Sequence, residues 1–522
     1  MWKKSCSDNN CISLQELFYC LFFGLLLLAK GIGLYDGQGP FKVFLVAALL
    51  CWGIKMALTR WTLREMILVG LGVFLGAVCW RSSGEKAVLV SVLVVAGMKE
   101  VSVKRVMKTG LVVWTVCFFA MITLSLAEVT EPLRLIHNKS GIGYVIRNSL
   151  GYTHPNVLHI SYVILLALWF GTFQWKSKDV LKAVAVAFVG NLYIFLYSVS
   201  FTGCIITVAY LILILYFGYR TKRTKAENGI ILCLMPLCVV SSIVLPMTLK
   251  GRAFALADKL VNTRFTLTRR YLLREPVTLL GTNFLMDNGS IDCSYIYCLL
   301  YYGVILFALF MIGYFFLIRH LLKTERLCEL AMVLGLVAAG FTEPFQFNFS
   351  FKNLILPLLG EYVFLLLAQC KWGGTWGDPV IDLFPVKKQI ALPGWEYCPV
   401  KRGGTAAGRM MRAAGLLAVL AVGAVIAAKT VDVAPYVVAN KAYSDRVGEK
   451  NDYLIYGEIE EEIRNNSLQI GALQADTPVY VFEGRTVEVE RVRKIVTLSL
   501  LSGLVYTGLM YLAAMRKKRR GK

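Results

Sequence analysis

The chain has 522 residues, 57% of them hydrophobic and 17% charged, with a mean hydropathy of +0.61 and a formal net charge of +23. A soluble domain of this size needs far more charged surface, which argues against that class. Lys and Arg are spread through short loops between apolar runs and no nucleic-acid motif is present, so no nucleic-acid partner is expected.

The first apolar run, Leu14 to Leu34, is long enough to span a bilayer and lacks a small-residue cleavage site, so it reads as a transmembrane helix. Further spans are predicted at 41–58, 65–80, 86–98, 109–127, 156–173, 179–198, 202–219, 228–249, 292–318, 327–345, 353–370, 411–433 and 494–515. The run 86–98 is short and is expected to tilt little or to dip rather than cross. The predicted fold is an all-α polytopic integral membrane protein of about 14 transmembrane helices: a twelve-helix core and a C-terminal two-helix module. With the N-terminus inside, the N-terminal tail and five short cytoplasmic loops hold seventeen Lys/Arg, against two or three in the short outer loops. That asymmetry places both termini in the cytoplasm. Residues 371–410, rich in Gly, Pro and Lys/Arg, read as a cytoplasmic linker between core 1–370 and module 411–522. The fourteen cysteines lie mostly inside apolar runs, with no CxxC and no Cys/His cluster. No disulfide, metal or cofactor is expected.

Three outer segments are long: 128–155, 250–291 and 434–493. The first carries Arg147-Asn148-Ser149-Leu150-Gly151-Tyr152-Thr153-His154-Pro155-Asn156. Pro155 fits a helix start, and a neutral imidazole at His154 can accept a proton from a hydroxyl near pH 7. The plainer reading is that Asn148 and Asn156 cap backbone and His154 is interfacial. The second segment holds seven Lys/Arg, among them Arg252, Arg264, Arg269, Arg270 and Arg274. Cationic loops normally stay inside, so one on the outer face points to an anion there, and the planar guanidinium fork suits phosphate. Residues 254–274 read as one amphipathic helix, with Val261, Phe265, Thr268 and Leu272 on a stripe. Arg270 and Arg274 share a face with Arg264 at about 80–120° from them, so these three can converge on one anion while Arg269 points away. The alternative is a surface helix resting on anionic lipid. Asp287 and Asp292 flank the next span, as bases or as partners for the arginines. Asp287-Asn288-Gly289 is also a turn signal. Glu343, closing Gly340-Phe341-Thr342-Glu343-Pro344, and Glu361 are ionisable groups at membrane depth. Either is a functional candidate or the partner of a nearby Arg.

The order of these stretches resembles the Wzy-type polysaccharide polymerases, related to the O-antigen ligases. The matching residues are Arg147 to Asn156, Asn262-Thr263-Arg264-Phe265, Leu280-Gly281, Asp287-Asn288 followed by Ser294-Tyr295, Tyr302-Gly303 and Thr342-Glu343. The resemblance covers about residues 10–370. It implies a metal-independent glycosyltransferase of GT-C type in a bacterial cytoplasmic membrane. Such an enzyme moves undecaprenyl-diphosphate-linked glycan onto another lipid-linked repeat unit at the outer face, in capsule or exopolysaccharide synthesis. Read with the residues, it assigns the diphosphate to Arg264, Arg270 and Arg274 with Arg147 assisting. It makes His154 the candidate base with Asp287 second, and Asn156, Tyr295 and Glu343 further candidates. Fixed Arg groups can stabilise a leaving diphosphate without a metal. Related ligases place an important His in their large outer loop; loop 250–291 has none. Expected partners are the lipid-linked glycan, membrane lipids and a chain-length regulator or flippase. The outer segment 434–493 is assigned to partner contact or length control. Two rival functions stay open: a ligase acting on another acceptor, and a non-catalytic transporter or flippase.

Overall fold

The computed structural model describes residues 11–127, 129–130, 134–139, 143–173, 175, 177–220, 222–286, 290–347, 352–369, 379–384, 389–391, 406–431, 436–438, 479–481 and 485–520. About 79% is helical, and eleven helices among the described residues are long and apolar enough to cross a membrane. The chain is therefore an all-α polytopic membrane protein. It divides into two compact units: the first is Met1–Thr130, Gly151–Phe195 and Ser200–Gly394, the second Glu131–Leu150, Leu196–Val199 and Trp395–Lys522.

In the first unit, α1 (Leu14–Gly31), α2 (Gly39–Leu58) and α3 (Leu63–Ser83) are followed by α4 (Lys86–Ala96), α5 (Val103–Leu126) and α6 (Pro155–Thr172). Next come α7 (Ser177–Ser198), α8 (Phe201–Tyr219) and α9 (Lys225–Thr248). The predicted short run 86–98 is an eleven-residue helix, α4. Helix starts follow local rules. Thr62 and Thr224 each form a reciprocal capping box with the Glu three residues on, Glu65 and Glu227, which satisfies the orphan N–H groups of α3 and α9. Apolar side chains turned outward along α2 and α3 (Val43, Leu50, Leu71 and Phe74 all exceed half exposure) form the face a bilayer would cover. Two short antiparallel pairs, β1 (Cys11–Ser13) with β6 (Gln389–Ala391) and β2 (Trp61–Thr62) with β5 (Val380–Ile381), add strand pairing that hydropathy alone does not reveal.

The expected single helix over 254–274 is two. Helix α10 (Gly251–Leu260) and helix α11 (Arg264–Arg274) are separated where Asn262 and Thr263 adopt positive φ of 53° and 66°. Asn tolerates that conformation, and the stripe of period 3.6 hid the break because it continues across it. Asp258 then holds the start of α11, its carboxylate accepting from Thr266 N (2.9 Å) and Thr266 Oγ1 (2.6 Å).

The tenth predicted span is also interrupted. Helix α12 (Ser294–Tyr297) runs into a π turn, Cys298–Tyr302, before α13 (Gly303–Lys323) begins at Gly303 with φ +77°. The segment after α11 fills the break. Leu300 O accepts from Thr282 N (2.9 Å), while Thr278 O and Leu279 O accept from Val304 N (3.0 Å) and Ile305 N (3.3 Å), two first-turn donors of α13. The unit continues with α14 (Leu327–Ala339) and α15 (Ile355–Gln369), both shorter than their predicted spans. At one end of these helices charged side chains are paired, as in Lys99 with Glu65 and Arg105 with Glu16.

The second unit contains the hairpin β3 (Arg134–Lys139) and β4 (Gly143–Asn148), the strand pair β7 (Tyr436–Val438) and β8 (Val479–Val481), and helices α16 (Ala406–Thr430) and α17 (Arg485–Arg520). Small residues let α16 and α17 approach closely: a side chain at Gly423 would meet Ser502, and one at Gly503 would meet Leu420. Most of the linker 371–410 and of the outer segment 434–493 lies outside the described residues.

Candidate functional site

Arg264 opens α11, and the preceding αL residues turn its side chain inward. It is 4% exposed. Its Nη2 donates to Glu343 Oε1 at 3.0 Å and stands 3.5 Å from Asp292 Oδ2; Nε donates to Thr342 O and Nη1 to Val261 O (3.1 Å). Phe265 packs edge-on against Phe341 (6.1 Å between centroids), locking α11 onto the loop that carries the carboxylate. That loop is pinned from α12. Ser294 N donates to Gly340 O (2.8 Å), Ser294 Oγ to Glu343 O (2.6 Å) and the buried Tyr295 OH to Val337 O (2.6 Å). The expected Thr-Glu and Ser-Tyr motifs thus meet in space. Tyr295 serves as an anchor for α14.

Lys352 joins this cluster, and sequence reasoning missed it, treating it only as a loop charge. It is 6% exposed as a residue, and its Nζ keeps some contact with solvent. Its Nζ lies 5.6 Å from the centre of the Trp114 ring. Burial, reinforced by the nearby Lys30, lowers its pKa to about 7, and Glu343 opposes the shift. Lys30 itself sits over the Phe41 ring at 4.5 Å. The loop is fixed beside Lys352 by Asn353, whose Nδ2 donates to Tyr314 OH (2.7 Å) and Gln346 O (2.9 Å). Glu343, in the loop beyond α14, has its carboxyl pushed up to about 8. Burial outweighs the pull of Arg264, and Asp292 adds to the rise.

The other expected residues are placed differently. Arg270 is exposed, and Arg274, 45% exposed, pairs with Glu275 at 3.1 Å. Arg264 therefore turns away from these two, into the protein. Arg269, expected to face headgroups, folds back to the end of α9. Its Nε donates to Pro246 O (2.6 Å), Nη2 donates to Leu249 O, and the guanidinium lies 4.0 Å over Phe254. Helix-terminal carbonyls lack intrahelical donors, which explains the attraction. Arg147, in the second unit, is buried and donates Nε–H to Ser198 O at 2.8 Å. Asp287 lies outside the described residues; Asp292 is described and faces Arg264.

His154 is the N-cap of α6. Its Nδ1 accepts from Asn156 N at 3.1 Å, so the neutral ring carries its hydrogen on Nε2. With the Nδ1 lone pair taken and a hydrogen on Nε2, the ring has no lone pair left for proton abstraction. Asn156 Oδ1 accepts from Ser200 Oγ (3.0 Å) and Asn148 Oδ1 from Leu150 N (2.9 Å), the capping roles expected for Asn in the plainer reading. Groups of three or more metal-ligating residues are absent among the described residues. In comparisons with known proteins, no family model, no curated protein and no solved structure matches the chain.

Proposed function

We propose that the chain is a glycan polymerase of the Wzy type, moving undecaprenyl-diphosphate-linked repeat units onto a growing lipid-linked chain at the outer face of a bacterial cytoplasmic membrane. On this reading the eleven long and three shorter apolar helices make fourteen spans, twelve in the core and two in the C-terminal module, with both termini inside. The observation that carries it is Lys352. A largely buried lysine is costly to charge, and the charged groups acting on its ammonium are a second lysine, Lys30, and the carboxyl of Glu343. An entering diphosphate adds counter-charge to that of Glu343, and a preformed cation stabilises the charge that grows on it as the glycosidic bond breaks.

Arg264 acts in this scheme mainly by holding Glu343. With its affinity for a proton raised, Glu343 is a better base than an ordinary carboxylate and takes the proton from the acceptor hydroxyl. The sugar–oxygen bond to the diphosphate breaks as the bond to the acceptor oxygen forms, and the diphosphate leaves with the bonding electrons. Arg270 and Arg274, on the exposed side of α11, attract the anionic donor. No resident cofactor takes part. A ligase would share this donor chemistry and differ in its acceptor.

The test is a polymer ladder from purified protein given lipid-diphosphate-linked repeat units. Lys352→Met should lower transfer by about 100-fold or more. Its thermal stability should be equal to or higher than that of the unsubstituted protein, because an apolar side chain of similar length replaces a buried charge. A normal ladder from Lys352→Met would remove the site from this cluster. Product on a non-glycan acceptor alone would favour the ligase.

A pH profile separates binding from folding. The folded pKa of Lys352 near 7 lies below its ordinary value near 10.5, so the unfolded chain holds the extra proton between those limits. Its contribution to stability therefore rises with pH across that window. Affinity for an anionic donor falls across the same window, by up to about tenfold per pH unit, since the bound state needs the ammonium. Parallel thermal melts and donor-binding titrations at pH 6.5–9 should diverge in the unsubstituted protein and lose that divergence in Lys352→Met.

A further inference from the structure

A second polar site lies at the other end of α14. This helix of 13 residues separates Arg326 from the Glu343 loop by about 20 Å. There the first unit holds a half-open cavity of about 730 Å³, with Lys104, Thr172, Trp175, Glu325, Arg326 and Glu361 on its polar walls. Arg326 Nη1 donates to Glu361 Oε2 (2.5 Å), and its Nε and Nη2 donate to Glu329 Oε1 (3.2 and 3.1 Å). One guanidinium between two carboxylates leaves a surplus negative charge, and Glu325 adds another. On the opposite sign, Lys104 is exposed. Two donors are left without partners: Thr172 Oγ1, in a residue only 5% exposed, and Trp175 Nε1. Buried donors are normally satisfied, so these call for acceptor atoms in the space beside them. Val180, Ile214 and Phe217 make the remaining wall apolar.

We propose that this cavity binds a zwitterionic headgroup of the phosphoethanolamine class. Phosphate oxygens lie beside Lys104 and accept from Thr172 Oγ1 and Trp175 Nε1 once a side-chain shift uncovers these two buried donors. The ammonium lies toward the Glu361–Glu329 side, where one negative charge is uncompensated. The apolar wall takes the first carbons of an acyl chain, so the natural source is a bilayer phosphatidylethanolamine. A soluble phosphoethanolamine has the same recognisable atoms.

Full-length protein, stripped of lipid in detergent, would be titrated with phosphatidylethanolamine and separately with phosphatidylglycerol, and adducts counted by native mass spectrometry. Phosphatidylethanolamine should bind at about tenfold lower concentration, the difference expected for a charge-assisted contact. Thr172→Val should weaken its binding several-fold by removing the hydroxyl at nearly constant volume. Lys104→Glu changes an exposed residue, leaves folding intact and should weaken it likewise. Competition by O-phosphoethanolamine would assign the site to a soluble ligand of this class. Failure to compete, with lipid retained, would assign it to the bilayer lipid. Equal binding of the two lipids, or both variants binding like the unsubstituted protein, would overturn the proposal.

Discussion

Glu343→Ala should lower stability by about 3 kcal/mol, because it leaves the buried Arg264 guanidinium with only the longer 3.5 Å contact to Asp292. Arg264→Ala should do the same in the opposite sense, exposing Glu343 and Asp292 to each other in a site where burial already raises the Glu343 pKa. A loss of transfer in either single variant is therefore ambiguous between chemistry and folding. The informative variant is the double replacement Arg264→Met with Glu343→Leu. Removing both charges leaves only the partly exposed Asp292 without its arginine, and such apolar swaps of a buried pair are often neutral or stabilising. The double variant should melt within about 1 kcal/mol of the unsubstituted protein and still form no polymer. If stability returned and the ladder returned with it, the pair would be a structural fastening and the proposed base would have to lie elsewhere.

Gly281→Ala and Gly303→Ala should each prevent normal accumulation of the protein, with losses above about 4 kcal/mol. The reason is backbone against backbone. Gly281 has φ +88° and Gly303 φ +77°; a Cβ on the first would overlap Tyr301 O and one on the second would overlap Leu279 O. No rotamer relieves a clash with a carbonyl, and the segment cannot retreat because its carbonyls satisfy the first turn of α13. Ser82 Oγ, donating to Gly281 O at 2.8 Å, ties the same crossing to α3. Membrane-fraction yield and detergent melting temperature would report the effect. Near-normal values for either variant would mean the close crossing is not needed.

These two expectations mark what sequence could and could not reveal. The apolar helices were legible, because bilayer-length hydropathy is a one-dimensional signal. Interruptions were not: the π turn at Cys298–Tyr302 and the break at Asn262–Thr263 keep the apolar pattern on both sides. The Thr342-Glu343 and Asn262 to Phe265 motifs pointed to residues that do meet. Their pairing was open, since nothing in the sequence tells whether an Arg turns to solvent, as Arg270 does, or inward, as Arg264 does. Lys352 was hidden for the same reason: a charge in a short loop reads as topology until its burial is seen.

Helices α4, α14 and α15 have 11, 13 and 15 residues. At 1.5 Å per residue they span about 16, 20 and 22 Å, well short of the roughly 30 Å of hydrocarbon in a typical bilayer. Because α4 and α14 are largely covered by neighbouring helices, the shortfall falls mostly inside the protein, where polar loop and water fill it, and bilayer thinning is confined to the little surface they show to lipid. The polar loop bearing Glu343 and Lys352 follows one of these helices and precedes another, so it sits recessed below the general level of the headgroups. A lipid-borne phosphate would then have less distance to descend, and acyl-chain thickness becomes a variable for activity: thinner bilayers should favour the protein over thicker ones.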